Sequence, residues 1–180
     1  MTQTMKSKAK PSLLIVYTGN GKGKTTAALG LAFRALGRKR KVAIVQFIKG
    51  KWETGERLFA ETIEGLDFHV MGLDFTWESD DLDKDRAAAQ AAWQTAQAFI
   101  AKGEHDVVIL DELTYTLHYD FLALDEVVET LRNRPDHVDV VVTGRDAPQE
   151  IVGMADLVSE MKCIKHPYDQ GWPAKRGVDF

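Results

Sequence analysis

The chain has 180 residues and only one cysteine, Cys163. A lone thiol excludes an internal disulfide and a cysteine-based zinc site. Placed beside the last apolar segment, it reads as buried and inert. No apolar run approaches the ~20 residues of a membrane span. The strongest, Leu13 to Val16, is also too short for a signal-peptide core, although Lys6, Lys8 and Lys10 precede it. A reducing cytoplasm is the expected compartment. Positive charge is not in excess either: Lys plus Arg number 23 against 27 Asp plus Glu, a net charge of -4. That balance argues against bulk nucleic acid or anionic membrane as a partner and leaves room only for a local basic patch. The five histidines, His69, His105, His118, His137 and His166, show no i, i+4 pair and no chelating spacing, and read as structural. There is no internal repeat and no low-complexity tract.

What the chain does have is an alternation of short apolar strands and amphipathic helices. Leu13 to Tyr17 reads as a buried strand between Pro11-Ser12 and Gly19. In residues 25 to 36, Ala28, Leu31, Ala32, Ala35 and Leu36 recur at helical spacing, and Gly37 closes the helix. Val42 to Phe47 is a second strand after the basic turn Arg38 to Lys41. Helix from Gly55 to about Ile63, a weaker strand from Leu66 to Met71 and a long Ala- and Gln-rich helix over 82 to 102 follow. In that helix Trp93 is a core or dimer contact. Val107 to Leu110 is strand, and Leu124, Val127, Val128 and Leu131 form a helical stripe that Pro135 stops. Val138 to Val142 is strand, 148 to 154 a short helix, and Leu157 to Met161 the last strand. This order implies an α/β fold of the P-loop NTPase-like kind: a mostly parallel sheet of about six strands with helices on both faces. Residues 1–11 read as a basic arm, 12–180 as a single domain, and the last ~15 residues as an irregular tail. Ligands in such folds sit beyond the carboxyl ends of the strands.

Chemistry is concentrated at two of those ends. The first strand runs into Thr18-Gly19-Asn20-Gly21-Lys22-Gly23-Lys24-Thr25-Thr26 and then a helix, the context a phosphate-binding loop requires. Glycines let backbone N–H groups turn inward around phosphate oxygens, and the helix N-terminus adds partial positive charge. Lys24 would meet the phosphates, and the Thr25 hydroxyl would ligate Mg²⁺. The usual pattern opens on a glycine where this chain has Thr18. The second end is Val107-Val108-Ile109-Leu110-Asp111-Glu112, an apolar strand closed by two carboxylates. Asp111 or Glu112 would hold the metal, directly or through water.

These motifs, taken with Val45 to Gly50, Gly55-Glu56-Arg57, Phe75-Thr76-Trp77-Glu78, Leu110 to Tyr115, Thr143-Gly144-Arg145, Ala155 to Met161, Lys165-His166 and Gly177 to Phe180, resemble the phosphate-loop class of ATP:corrinoid adenosyltransferases. The resemblance runs collinearly from about residue 12 onward. Asp146-Ala147-Pro148 is less typical. The resemblance implies transfer of the 5′-deoxyadenosyl group of ATP to the Co(I) of a corrinoid, either cobalamin or its a,c-diamide precursor, with triphosphate leaving. It implies Mg²⁺ or Mn²⁺, ATP held in a reversed sense along the loop, and nucleotide contacts from Gly19 to Thr26, Arg34 and Arg145. Lys24 and Glu112 would serve the chemistry. Phe75 and Trp77 would form an apolar floor beneath the corrin ring, displacing the lower axial ligand so that cobalt is more readily reduced. A reduced flavoprotein donor, a homodimer and an N-terminal arm folded over the corrinoid are further implications. Without the resemblance, Arg34 reads as a solvated helix residue and the aromatic pair as loop anchors. A phosphate-loop kinase or ATPase, and a nucleotide-gated corrinoid carrier, are the competing readings. One small domain holding both ATP and a corrinoid has little room for a separate lid, so short loops and the two termini, or these with a partner subunit, must close the site.

Overall fold

Short runs of valine, isoleucine and leucine build the strands, and each central run ends on a polar residue. The computed structural model describes residues 12–48, 53–72 and 82–180; the basic arm and the pair Phe75 and Trp77 lie outside the described residues. The strands are β1 (Leu14–Thr18), β2 (Val42–Gln46), β3 (Leu66–Val70), β4 (Val107–Asp111), β5 (Asp139–Thr143) and β6 (Leu157–Glu160). They form one sheet in the order β3-β2-β4-β5-β1-β6, with every neighbouring pair parallel. The helices are α1 (Lys24–Leu36), α2 (Gly55–Ala60), α3 (Leu82–Lys102), α4 (Leu113–His118), α5 (Leu124–Arg132) and α6 (Gln149–Met154). The expected α/β class is what the chain adopts.

Alternation along the strands feeds two cores. Leu14, Val16, Val45, Val108, Leu110, Val140 and Val142 pack against Trp93 and Ile100 of α3, Val127 and Leu131 of α5 and Ile151 of α6. Ile15, Ile44, Val107, Ile109 and Val141 face the other way, onto Ala28, Ala32 and Ala35 of α1. Small alanines let α1 lie close to the sheet, so its first turn and the loop before it sit at the sheet's edge. Each fully buried aliphatic side chain contributes about 1.5–3 kcal/mol. Trp93 belongs to the core, 2% exposed, and its indole N–H donates to Glu126 Oε1 at 2.9 Å.

Two expectations need correction, and one helix is an addition. Cys163 is exposed, not buried. It follows β6, the outermost strand, whose Leu157 and Val158 are themselves 42% and 41% exposed, so the chain beyond it has no core to enter. The tail is not wholly irregular: Pro167–Gln170 makes a 3-10 turn. Finally, α4 has no counterpart in the sequence reading, because six residues are too few to show a helical period.

Parallel strands put all their carboxyl ends on one edge. Four adjacent strands, β2, β4, β5 and β1, end there on Gln46, Asp111, Thr143 and Thr18. The site grows from that polar row.

Candidate active site

The glycine-rich loop leaves β1 and is fixed by the segment beyond β6. Gly21 N–H donates to Met161 O at 2.7 Å, and Met161 N–H returns to Thr18 O at 2.7 Å. A Cβ on Gly19 would lie 2.5 Å from Met161 O, and one on Gly21 2.7 Å from the Lys162 carbonyl carbon. These two glycines therefore serve close backbone packing, and the Gly21 amide is already used within the protein. Thr18 has a structural part as well: its hydroxyl accepts the Ala147 N–H at 3.2 Å and ties the loop to the turn after β5.

Lys24 opens α1 and is 7% exposed. Its ammonium donates to Gly21 O at 3.1 Å. Burial pulls its pKa below 10.5, while Glu112, Asp111 and Asp146 oppose that shift. Opposite it, Asp111 accepts from Thr143 Oγ1 at 2.7 Å and from Gln46 Nε2 at 3.0 Å. The Thr25 hydroxyl also favours the ionised form of this carboxylate. Burial raises the Asp111 pKa, and Thr143, Thr25 and Gln46 work against the rise. Glu112 sits at φ 59°, a left-handed conformation that costs a non-glycine residue about 1–3 kcal/mol and is typical of working sites. Its N–H donates to Thr143 Oγ1 at 2.9 Å. Thr143 thus bridges the two acidic residues and sets their relative position.

Burial, then the neighbouring Asp111, raises the Glu112 pKa above 4.5. In the window between 4.5 and that raised value the folded chain binds more protons than the unfolded one. Stability therefore falls as pH rises through the window. Glu112→Gln removes the ionisable group, so the substitution is expected to raise the urea midpoint at neutral pH and flatten its pH dependence while lowering activity. A midpoint below that of the parent protein would contradict this account.

These groups line a cavity of about 1010 Å³. Of the residues singled out in the sequence, Lys22, Gly23, Lys24, Thr25, Thr26, Asp111, Glu112 and Arg145 line it. Gly19, Asn20 and Gly21 are not among the lining residues; Asn20 is exposed, and Gly19 and Gly21 pack against the Met161–Lys162 backbone. Arg34 is exposed in the last turn of α1 and is not brought to the cavity. Sequence reasoning missed Glu56, Gln46, Tyr115, His118 and Tyr119, which also line it, as do Gly177 to Phe180. The aromatic residues come from α4 and the residue that caps it: the Tyr115 and Tyr119 rings are 4.6 Å apart, with Phe121 5.8 Å beyond Tyr119. The charge balance is informative. Among the described residues, the cavity carries the carboxylates Glu56, Asp111, Glu112, Asp146 and Asp179 against the cations Lys22, Lys24 and Arg145. A polyphosphate entering such a site needs cationic help.

The description of the family model that matches residues 10–180 reads ATP:corrinoid adenosyltransferase BtuR/CobO/CobP. The chain belongs to this family. The enzyme moves an adenosyl group from ATP to a corrinoid. It is 48% identical over 168 residues to the corrinoid adenosyltransferase of Escherichia coli strain K12, covering 93% of this chain and 85% of that one. The identity and coverage are the same for the corrinoid adenosyltransferase CobA of Salmonella typhimurium. Against the Pseudomonas aeruginosa corrinoid adenosyltransferase it is 44% over 169 residues, covering 93% and 83%. No helix among the described residues is long and apolar enough to cross a membrane.

Proposed function

We propose that this adenosyltransferase catalyses attack of a corrinoid Co(I) on C5′ of ATP, with inorganic triphosphate leaving, in the cytoplasm and as a homodimer. The observation that supports it most directly is the buried Lys24 facing the Asp111–Glu112 pair across one cavity. The bond that breaks joins C5′ to an α-phosphate oxygen, so negative charge develops at the α end of the triphosphate. Lys24 is placed to stabilise it, and Lys22 and Arg145 add positive charge at the rim. Either cobalamin or a de novo precursor satisfies this chemistry. The electron donor is a reduced flavoprotein.

A divalent cation fits the donors present. Among the described residues no cluster of three or more His, Cys, Asp or Glu could hold an ion alone. Mg²⁺ does not need one: it binds through one or two carboxylates, keeps its waters and shares phosphate oxygens. Thr25, Asp111 and Glu112 supply hard oxygen ligands of that kind, and Mn²⁺ suits the same set. When bound, the ion neutralises triphosphate charge that the five carboxylates would otherwise repel.

The aromatic pair Phe75 and Trp77 completes the reading as the apolar floor under the corrin ring. Replacing both by alanine should leave ATP binding unchanged and remove the spectroscopic signature of four-coordinate Co(II); a surviving signature would sink that role. The reaction itself is tested by incubating protein, ATP, Mg²⁺ and chemically reduced corrinoid. Adenosylcorrinoid and triphosphate in equal amounts are the expected products. ADP and phosphate would instead mark a kinase or ATPase, and binding without turnover a carrier.

A further inference from the structure

Residues 175–180 return to the phosphate loop as a small turn. Val178 N–H and Asp179 N–H donate to Lys175 O at 3.0 and 2.8 Å, and Lys175 N–H donates to Asp179 Oδ2 at 2.7 Å. That arrangement leaves Oδ1 for Lys22, whose ammonium lies 2.6 Å away. Hydrogen bonds from Lys22 and from the Lys175 N–H hold the Asp179 carboxyl below the usual carboxylate range. Residues 177–180 line the same cavity as Lys24. An anionic oxygen of the chain itself therefore sits on a phosphate-loop lysine, where a phosphate oxygen would be attracted.

We propose that Asp179 is an internal counter-anion that competes with the triphosphate for Lys22: the turn yields the lysine when ATP binds and takes it back as triphosphate leaves. The inference rests on reading this cavity as the triphosphate site. Two features make the exchange physically easy. None of residues 167–179 is buried, so moving the turn sacrifices little packing. The pair is also weak: its side chains are 46% and 27% exposed, and ion pairs so open to water contribute little, whereas a polyanion offers several charges at once. Of the five cavity carboxylates, Asp179 is the one carried by such a segment. Re-pairing after reaction favours release of a product that would otherwise remain on the loop.

The test is calorimetric titration with inorganic triphosphate. Asp179→Asn keeps an oxygen for the Lys175 N–H and removes only the charge. It should bind triphosphate about fivefold tighter at low ionic strength, with the gain shrinking as salt rises. The KM for ATP should fall without a gain in kcat. In a Lys22→Ala background the same substitution should gain far less, because the contested cation is gone. Asp179→Ser provides a second neutral variant, and an unchanged melting temperature checks the fold. Unchanged or weaker triphosphate binding in both neutral variants overturns the proposal and makes Asp179 a structural partner of Lys22. Wild-type turnover of ATP with reduced corrinoid is measured separately. A wild type that binds triphosphate but makes no adenosylcorrinoid refutes the proposed reaction, while the binding comparison still decides the role of Asp179.

Discussion

Replacing Lys24 by alanine is expected to lower kcat for adenosyl transfer by about a thousandfold, with a smaller change in KM for ATP. The size follows from where the charge sits. Lys24 is 7% exposed, so little water screens its ammonium. It is already oriented, donating to Gly21 O at 3.1 Å. As the C5′–O bond lengthens, the α-phosphate end of the leaving group gains negative charge. A fixed, desolvated cation stabilises that charge more than it stabilises ground-state ATP, so its loss falls mainly on kcat. The substitution also removes a positive charge that holds the Glu112 pKa down, which pushes that carboxyl further toward protonation. Lys24→Arg keeps a charge but exchanges a compact ammonium for a planar fork in a buried position, so only partial rescue is expected. Product formation from chemically reduced corrinoid measures the effect. A fall in kcat of less than about tenfold would place Lys24 away from the leaving group.

Much of this site was legible because its signals are local. A glycine-rich loop between an apolar strand and a helix needs no tertiary information, and neither does a strand ending in Asp111-Glu112. The long helix over 82 to 102 was equally plain, since its alanine-rich face repeats for many turns. Other features depend on what lies far away in the chain. The reason for Gly19 and Gly21 is the backbone at Met161 and Lys162, some 140 residues later, so their glycine character reads as phosphate cradling until the packing is seen. Thr18, an apparent departure from the loop pattern, is explained by the Ala147 N–H. Arg34 is a different case: helical spacing alone reads it as a solvated residue, the family resemblance implies a nucleotide contact, and the structure shows an exposed side chain in the last turn of α1, outside the cavity lining. Cys163 was misjudged because the apolar residues of β6 suggested an interior strand, when in fact it forms the sheet's edge. The contribution of α4 was hidden by its length, and with it the aromatic wall of Tyr115 and Tyr119.

That short helix also sets up a large stability effect for a single added methyl group. Gly144→Ala should cost about 3–5 kcal/mol in urea denaturation, and activity should fall further than the lost folding explains. Gly144 directly follows β5 at φ 142°, a backbone conformation that side-chain-bearing residues rarely adopt. A Cβ there would overlap the Thr114 hydroxyl and lie 3.0 Å from Thr114 Cβ and 3.3 Å from its Cγ2. Thr114 cannot swing aside, being 1% exposed within α4 and bonded through its hydroxyl to Arg145 O. The added methyl must therefore push α4 away from β5 or break the bond that fixes Arg145. Either movement disturbs Arg145 and the Glu112 backbone, which Thr143 holds from the same strand end. Backbone strain and overpacking contribute separately, and a second substitution separates them. Thr114→Ala removes the hydroxyl and Cγ2, so in that background Gly144→Ala should lose roughly half its cost, the part due to crowding. The strain at φ 142° would remain. If the two substitutions are instead additive, the contact between Gly144 and Thr114 is not what requires glycine at this position.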